Sequence, residues 1–167
     1  SLVYDVTIPD FNSNKIKVCS GSPVVFRDTS EGVIGEWDWD FGFGAVPNKV
    51  SGKGPHYVIY TSGGNKNVKL KVNGTDSITK TAFIQVTQKP TAIASIKVGS
   101  SPSCEGSNIT LNVSESNRIA VTSNWYNANW NLKSADSLFT ISSLTVKDTG
   151  IYYAIVNNAG CLDTSDA

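Results

Sequence analysis

Apolar and polar residues alternate with a period of two along much of this chain. Val68–Val72 separates three aliphatic residues with two lysines, and Ile109–Val113 repeats the pattern with Thr and Asn. Because successive side chains of a strand point to opposite faces, each segment is predicted to bury one face of a sheet. No long stretch shows the three- and four-residue spacing of an amphipathic helix. Gly, Pro, Asn or Ser interrupts the alternation about every ten residues, so the pattern predicts an all-β chain of many short strands.

The chain has 167 residues, enough for two sandwich modules, and one short segment marks a boundary between them. Gln88–Thr91 separates two alternating segments, and Pro90 restricts its own backbone and that of the residue before it. Each half also contains a Cys-x-Gly sequence before a strand, at Cys19 and at Cys104. We expect two antiparallel β-sandwiches in tandem, at residues 1–88 and 89–167. No alternating run follows Leu162, and we expect the last strand to be truncated.

One aromatic segment of the first module combines a strand with a turn. In Trp37–Phe41, the period of two places three aromatic side chains on one face and two aspartates on the other. Gly42 and Gly44 permit positive φ, and Asp40 can accept hydrogen bonds from the backbone of that turn. Two aspartates could also serve as the acid and base of a glycoside hydrolase, but here their backbones lie only ~7 Å apart on one strand face. The segment is therefore interpreted as a core strand followed by a stabilised turn.

This turn resembles the signature of the PKD family, Trp-Asp-Phe-Gly-Asp-Gly. Five of the six positions match, and Phe43 stands where the family usually has an acidic residue. The exchange removes a carboxylate and adds an apolar side chain that either packs locally or forms an exposed contact. The resemblance covers Val18–Val86 and implies a structural role for the signature residues, which are Trp39, Asp40, Phe41, Gly42 and Gly44.

A second motif lies near the end of the chain. The sequence Asp148-Thr-Gly150-Ile-Tyr152 resembles the tyrosine corner of the immunoglobulin superfamily, in which the ring hydroxyl bonds to upstream backbone. Trp125 lies where that superfamily has its buried tryptophan. The resemblance covers Pro90 to the end and implies that Trp125, Asp148, Gly150 and Tyr152 are structural. Both modules are thus expected to have immunoglobulin-like architecture.

The cysteines depart from the superfamily pattern. Val113 and Ala154 occupy the positions of its two disulfide-bonded cysteines, whereas Cys104 and Cys161 flank the corresponding strands. This arrangement resembles immunoglobulin-like repeats of Bacteroidetes surface proteins, and the resemblance implies a Cys104–Cys161 disulfide and an oxidising compartment. Cys19 then either pairs outside the chain or remains a buried free thiol.

Composition narrows the class of function. Lys plus Arg and Asp plus Glu number 14 each, so no summed charge attracts nucleic acid or an anionic membrane. Charged residues make up only 17% of the chain, and no apolar run reaches the ~20 residues of a membrane span, which suits a secreted protein. His56 is the single histidine, and the three cysteines are dispersed. We therefore expect no catalytic residues, no metal site and no cofactor.

PKD and immunoglobulin-like repeats of this kind resemble those of large type IX-secreted and gliding-motility adhesins. The resemblance implies a non-catalytic structural or adhesive module at the cell surface, acting as a spacer or a protein or glycan interaction unit. Its partners would be neighbouring modules of the same long chain and a surface protein or polysaccharide. The alternative is an accessory carbohydrate- or protein-binding module of an extracellular hydrolase. Aromatic residues that neither core motif requires are the candidate binding surface: Phe43, Tyr57, Tyr126 and Trp130. For Trp130 a second interpretation is open, in which it caps the core from a hairpin.

Overall fold

The computed structural model describes residues 6–117 and 120–167. The chain divides into two compact units, Ser1–Gln88 and Lys89–Ala167. Each unit consists of two β-sheets that enclose a hydrophobic core. The predicted fold class, all-β with two tandem sandwiches, is therefore confirmed. Within the described ranges, no helix is long and apolar enough to span a membrane.

The first unit places its strands in two sheets, ordered β1-β3-β7-β5 and β2-β9-β8-β4-β6. Neighbouring strands pair in antiparallel fashion, except that β2 runs parallel to β9. The strands are β1 Phe11–Ser13, β2 Lys17–Cys19, β3 Pro23–Asp28, β4 Trp37–Asp40, β5 Ala45–Val46, β6 Lys49–Ser51, β7 His56–Tyr60, β8 Gly64–Val72 and β9 Asp76–Thr87.

The core of the first unit is built around the aromatic residues of β4 and the phenylalanine that follows it. Trp39 and Phe41 are buried and their rings are stacked, with centroids 5.6 Å apart. Tyr60 is fully buried, and its hydroxyl donates a hydrogen bond to the Phe41 carbonyl at 3.0 Å. Trp37, predicted to share the same face, is only half-buried. The period of two thus places the aromatic residues as expected, while the end of the strand leaves Trp37 near the edge of the core.

The second unit has sheets ordered β10-β11-β14 and β13-β12-β15-β16, and neighbouring strands pair in antiparallel fashion. A short 3₁₀ turn, Val146–Asp148, precedes β15. The strands are β10 Ala92–Val98, β11 Ile109–Glu115, β12 Thr122–Asn127, β13 Leu132–Ser134, β14 Leu138–Ile141, β15 Tyr152–Asn158 and β16 Cys161–Thr164.

The buried core of the second unit is small. Val113, Trp125, Ala154 and Val156 are buried, and the Trp125 indole donates a hydrogen bond to the Ser137 carbonyl at 3.1 Å. Val113 and Ala154, the positions where the immunoglobulin superfamily carries cysteines, instead contribute aliphatic packing. Beside this core is an open groove of about 640 Å³, lined by half-buried apolar residues that include Leu111 and Ile141.

The cysteine pairing differs from the prediction. Cys19 and Cys161 each take part in a disulfide bond, whereas Cys104 is a free and exposed thiol. The predicted Cys104–Cys161 bond is therefore wrong, and so is the interpretation of Cys19 as a free thiol. Cys104 lies in an exposed turn before β11, while Cys161 begins β16 and is buried. The prediction followed from the resemblance to repeats in which such flanking cysteines pair. The positions of cysteines along the chain do not show which sulfur atoms meet.

Candidate functional site

The outer face of one sheet in the second unit carries a pair of tyrosines. Trp125 on β12 pairs with Ala154 on β15, and both side chains are buried in the core. Because side chains alternate along a strand, the next pair, Tyr126 and Tyr153, faces outward. Tyr126 and Tyr153 are half-buried. Burial of Trp125 and Ala154 on the inner face of the sheet therefore places the rings of Tyr126 and Tyr153 side by side on the outer face.

Trp130 completes an aromatic cluster with these two tyrosines. Its ring is stacked on that of Tyr153, with centroids 5.6 Å apart and an interplanar angle of 13°. The Tyr126 ring lies 6.0 Å from it at 55°. Trp130 is nevertheless 57% exposed, so it does not cap the core. We call Tyr126, Trp130 and Tyr153 the aromatic cluster.

The hairpin between β12 and β13 positions Trp130. The Asn127 carbonyl accepts a hydrogen bond from the Trp130 amide at 2.9 Å, and the Asn127 side-chain oxygen accepts bonds from the amides of Asn129 and Asn131. Trp130 has φ of 59°, in the left-handed region that a bulky residue rarely adopts. Such a conformation costs roughly 1–2 kcal/mol for a residue other than Gly, Asn or Asp. A tryptophan at this position is therefore not explained by the needs of the turn.

The loop that carries Trp130 contains no charged residue. The hairpin residues 127–132 are Asn, Ala, Asn, Trp, Asn and Leu. On the outer face, the pair next to the two tyrosines is Asn124 and Ile155, and the Asn124 amide donates a hydrogen bond to the Tyr126 hydroxyl at 3.4 Å. The cluster is thus an aromatic surface edged by neutral amide groups.

The other two predicted surface residues lie in the first unit. Phe43 is 84% exposed, and its ring lies 5.7 Å from the ammonium group of Lys66. Lys66 is buried, its ammonium donates hydrogen bonds to the Ser62 hydroxyl and the Gly63 carbonyl, and burial lowers its pKa. Of the two alternatives that the sequence left open for Phe43, the structure shows the exposed one, with Lys66 near one side of the ring. Tyr57 is exposed on β7, near the exposed Ile59 of the same strand.

The two signature turns have defined hydrogen bonds. In the first unit, an Asp40 carboxylate oxygen accepts a bond from the Gly42 amide at 2.9 Å, and both Gly42 and Gly44 have positive φ. In the second unit, the Tyr152 hydroxyl donates to the Asp148 carbonyl at 2.9 Å. Hydrogen bonds from the Thr145 backbone and side chain hold the pKa of the Asp148 carboxyl below its usual value.

The residues capable of acid–base chemistry have structural partners. His56 is hydrogen-bonded to the Gly52 carbonyl at 2.9 Å and lies edge-on to the Trp39 ring. Asp38 accepts a hydrogen bond from Ser51, and Asp40 pairs with Lys49. Over residues 6–117 and 120–167, no three His, Cys, Asp or Glu side chains come together as a metal-binding group.

Tyr153 is the member of the aromatic cluster that the sequence analysis missed. The signal was present, because Tyr152 was assigned to the tyrosine corner and its neighbour on a strand must face the opposite side. Tyr126 is a sequence candidate for a different reason, namely that neither core motif requires it. Contact between Tyr153 and Trp130, however, depends on how the hairpin folds back over the sheet.

Comparison with known proteins identifies no family for this chain. No protein-family model matches the chain, and no curated protein matches it. Among solved structures, the chain is similar to murine CEACAM1b, with 14% identity over 96% of both chains and a TM-score of 0.42. It is also similar to the DIP-gamma IG1+IG2 structure, with 14% identity over 95% of both chains and a TM-score of 0.47. A titin I67–I69 variant is 14% identical over 98% of this chain and 64% of its own, with a TM-score of 0.48.

Proposed function

We propose that this chain is a non-catalytic adhesive and structural module of a secreted or cell-surface multidomain protein. The observation that carries the proposal is the aromatic cluster, in which a large, exposed indole is held in place on the outer face of a sheet. Contiguous exposed apolar surface of this kind marks interaction sites in soluble proteins. A module that served only as a spacer would have no use for it.

An extracellular location is supported by the disulfide chemistry. Cys19 and Cys161 are disulfide-bonded, and such bonds form and persist in oxidising compartments. The immunoglobulin-like architecture agrees with this location. The partners we propose are neighbouring modules of the same long chain and a surface protein or polysaccharide.

We further propose that the first unit is PKD-like and that the second is a Bacteroidetes-type immunoglobulin-like domain of a type IX-secreted, gliding-motility adhesin. The Asp40–Gly42 hydrogen bond and the burial of Trp39 and Phe41 support the PKD assignment. The free Cys104 removes the disulfide that pointed to the Bacteroidetes repeats, so this assignment now rests on the tandem arrangement.

A bead-adhesion assay tests the adhesive function. Beads coated with the wild-type chain are expected to bind bacterial cell surfaces saturably, and beads coated with Trp130→Asn are expected to lose most of that binding. Ile93→Ser is the matched control, because Ile93 is exposed on the other sheet of the same unit. Equal adhesion by all three proteins, or no adhesion by the wild type, would contradict the adhesive function and leave only a role as a spacer. If the neighbouring module of the same chain hydrolyses the polymer that is bound, the alternative of a hydrolase accessory module is favoured.

A further inference from the structure

We infer that the aromatic cluster is a binding site for neutral polysaccharide, with the indole of Trp130 as the platform on which a sugar ring stacks. The inference rests on the proposed adhesive function and names the ligand class of the same surface. It follows from the rigidity of the indole, the strained backbone beneath it and the absence of charged residues from the loop that carries it.

Trp130 is preorganised for stacking. One face of its indole lies against Tyr153, and Tyr126 contacts it at a steep angle, so its exposed area comes from the opposite face and the edge. The electron-rich face of an aromatic ring attracts the slightly positive C–H groups of an apolar sugar face. A side chain that is already held loses little conformational freedom on binding.

The backbone of Trp130 points to function rather than folding. At φ of 59°, glycine or asparagine would suit the hairpin better, yet the position carries the largest side chain. Asn127 holds this conformation through hydrogen bonds to Asn129 and Asn131. Backbone strain of this kind persists where the surrounding structure enforces it, and it is concentrated at ligand sites.

The neighbouring side chains select the class of ligand. The amides of Asn129 and Asn131 on the hairpin each offer both donors and an acceptor, which matches a sugar hydroxyl that is donor and acceptor at once. Residues 127–132 of the hairpin include no Lys or Arg, and the next residue, Lys133, interacts electrostatically with Asp148, so a neutral sugar is favoured over an acidic one. A typical protein–protein interface buries roughly 800 Å² on each side around an apolar centre, whereas the polar residues Asn124 and Thr122 continue the outer face of β12 from this cluster.

Titration of the full chain with defined oligosaccharides tests the inference. The probes are the hexasaccharides of cellulose, xylan, mannan, laminarin and chitin, with polygalacturonate as the acidic control, and calorimetry and tryptophan fluorescence are the readouts. At least one neutral hexasaccharide is expected to bind with a Kd of about 1 mM or tighter. Trp130→Asn is expected to weaken that binding at least tenfold, about the value of one stacked ring, while Trp130→Phe retains part of it and Ile93→Ser changes nothing. Because asparagine tolerates the left-handed backbone, Trp130→Asn is expected to stay folded, which a thermal melt checks.

The outcomes separate this inference from the adhesive function. Absence of binding to every neutral hexasaccharide, stronger binding to polygalacturonate, or binding that is unchanged in Trp130→Asn would overturn the neutral-polysaccharide site. If bead adhesion still requires Trp130 and is abolished by protease but not by periodate oxidation of glycans, the adhesive function stands with a protein ligand. If oligosaccharides bind but the beads do not adhere, the adhesive function fails and the site remains.

Discussion

Removal of the Tyr60 hydroxyl tests how the first unit is stabilised. This hydroxyl is buried and donates its hydrogen bond to the carbonyl of Phe41, at the start of the glycine turn. In Tyr60→Phe the ring remains, so no large cavity forms, but the buried carbonyl loses this donor. A buried group left without its partner costs about 1–3 kcal/mol, whereas a water-exposed bond would cost less.

The assay is equilibrium unfolding followed by tryptophan fluorescence, since the buried Trp39 reports on this core. We expect Tyr60→Phe to lower the free energy of unfolding by about 1–3 kcal/mol, which for a unit of this size corresponds to a Tm decrease of roughly 4–8 °C per kcal/mol. Tyr57→Phe is the matched control, because Tyr57 lies on the same strand but is exposed, and its change should stay within about 0.5 kcal/mol. Equal effects of the two substitutions would refute the assigned role of the hydroxyl.

The same hydroxyl predicts a loss of stability in alkali. Burial raises the pKa of Tyr60 above the ordinary value of 10.0. Above pH 10 the unfolded chain therefore releases this proton while the folded chain retains it, so the unfolded state binds fewer protons and stability falls as pH rises. The stabilisation is complete below pH 10, and its loss is at most about 1.4 kcal/mol per pH unit. Tyr60→Phe should show a shallower decline above pH 10, and an identical decline in both proteins would contradict the assignment.

Three further predictions follow from local geometry. Gly42→Ala should destabilise the chain more than Gly21→Ala in denaturant titrations, because both glycines have positive φ but only at Gly42 would a Cβ meet a backbone oxygen, at 2.6 Å; equal losses would show that the turn can move. The native chain should react with one equivalent of a maleimide, at Cys104, and Cys104→Ser should react with none while keeping its Tm; two or more equivalents would contradict the disulfide assignment. The pKa of Asp148 is lowered mainly by hydrogen bonds from Thr145, so its contribution to stability is present above the unfolded pKa and is lost as pH falls through the folded value. Asp148→Asn should remove that acid dependence from the unfolding free energy of the second unit, and an unchanged pH profile would exclude this role.

Much of the architecture could be predicted because its determinants are local. Alternation in Val68–Val72 and Ile109–Val113 corresponds to β8 and β11, and the division near Gln88 coincides with the boundary between the two compact units. The glycine turn at Asp40–Gly44 also follows from residues adjacent in the chain. A strand or turn is specified by neighbouring residues, so a pattern of a few positions carries the information.

The candidate site could be predicted only in part. Tyr126 and Trp130 were identified as aromatic residues that the core does not require, but Tyr153 was missed, and Phe43 and Tyr57 are not part of the aromatic cluster. Which rings meet depends on the pairing of β12 with β15 and on the path of the hairpin. The contacts of Tyr153 with Tyr126 and Trp130 join residues more than twenty positions apart, and no local pattern encodes them.

By itself, the sequence determined three features: the alternation of apolar and polar residues in the strands, the glycine turn after Asp40, and the tyrosine corner at Tyr152. Each depends on stereochemistry within a few residues. Only the tertiary structure decided the oxidation states of Cys19, Cys104 and Cys161 and the stacking of Trp130 on Tyr153. Sulfur atoms bond and rings stack only when distant segments are brought within a few ångströms. That proximity is a property of the packed chain and not of the order of its residues.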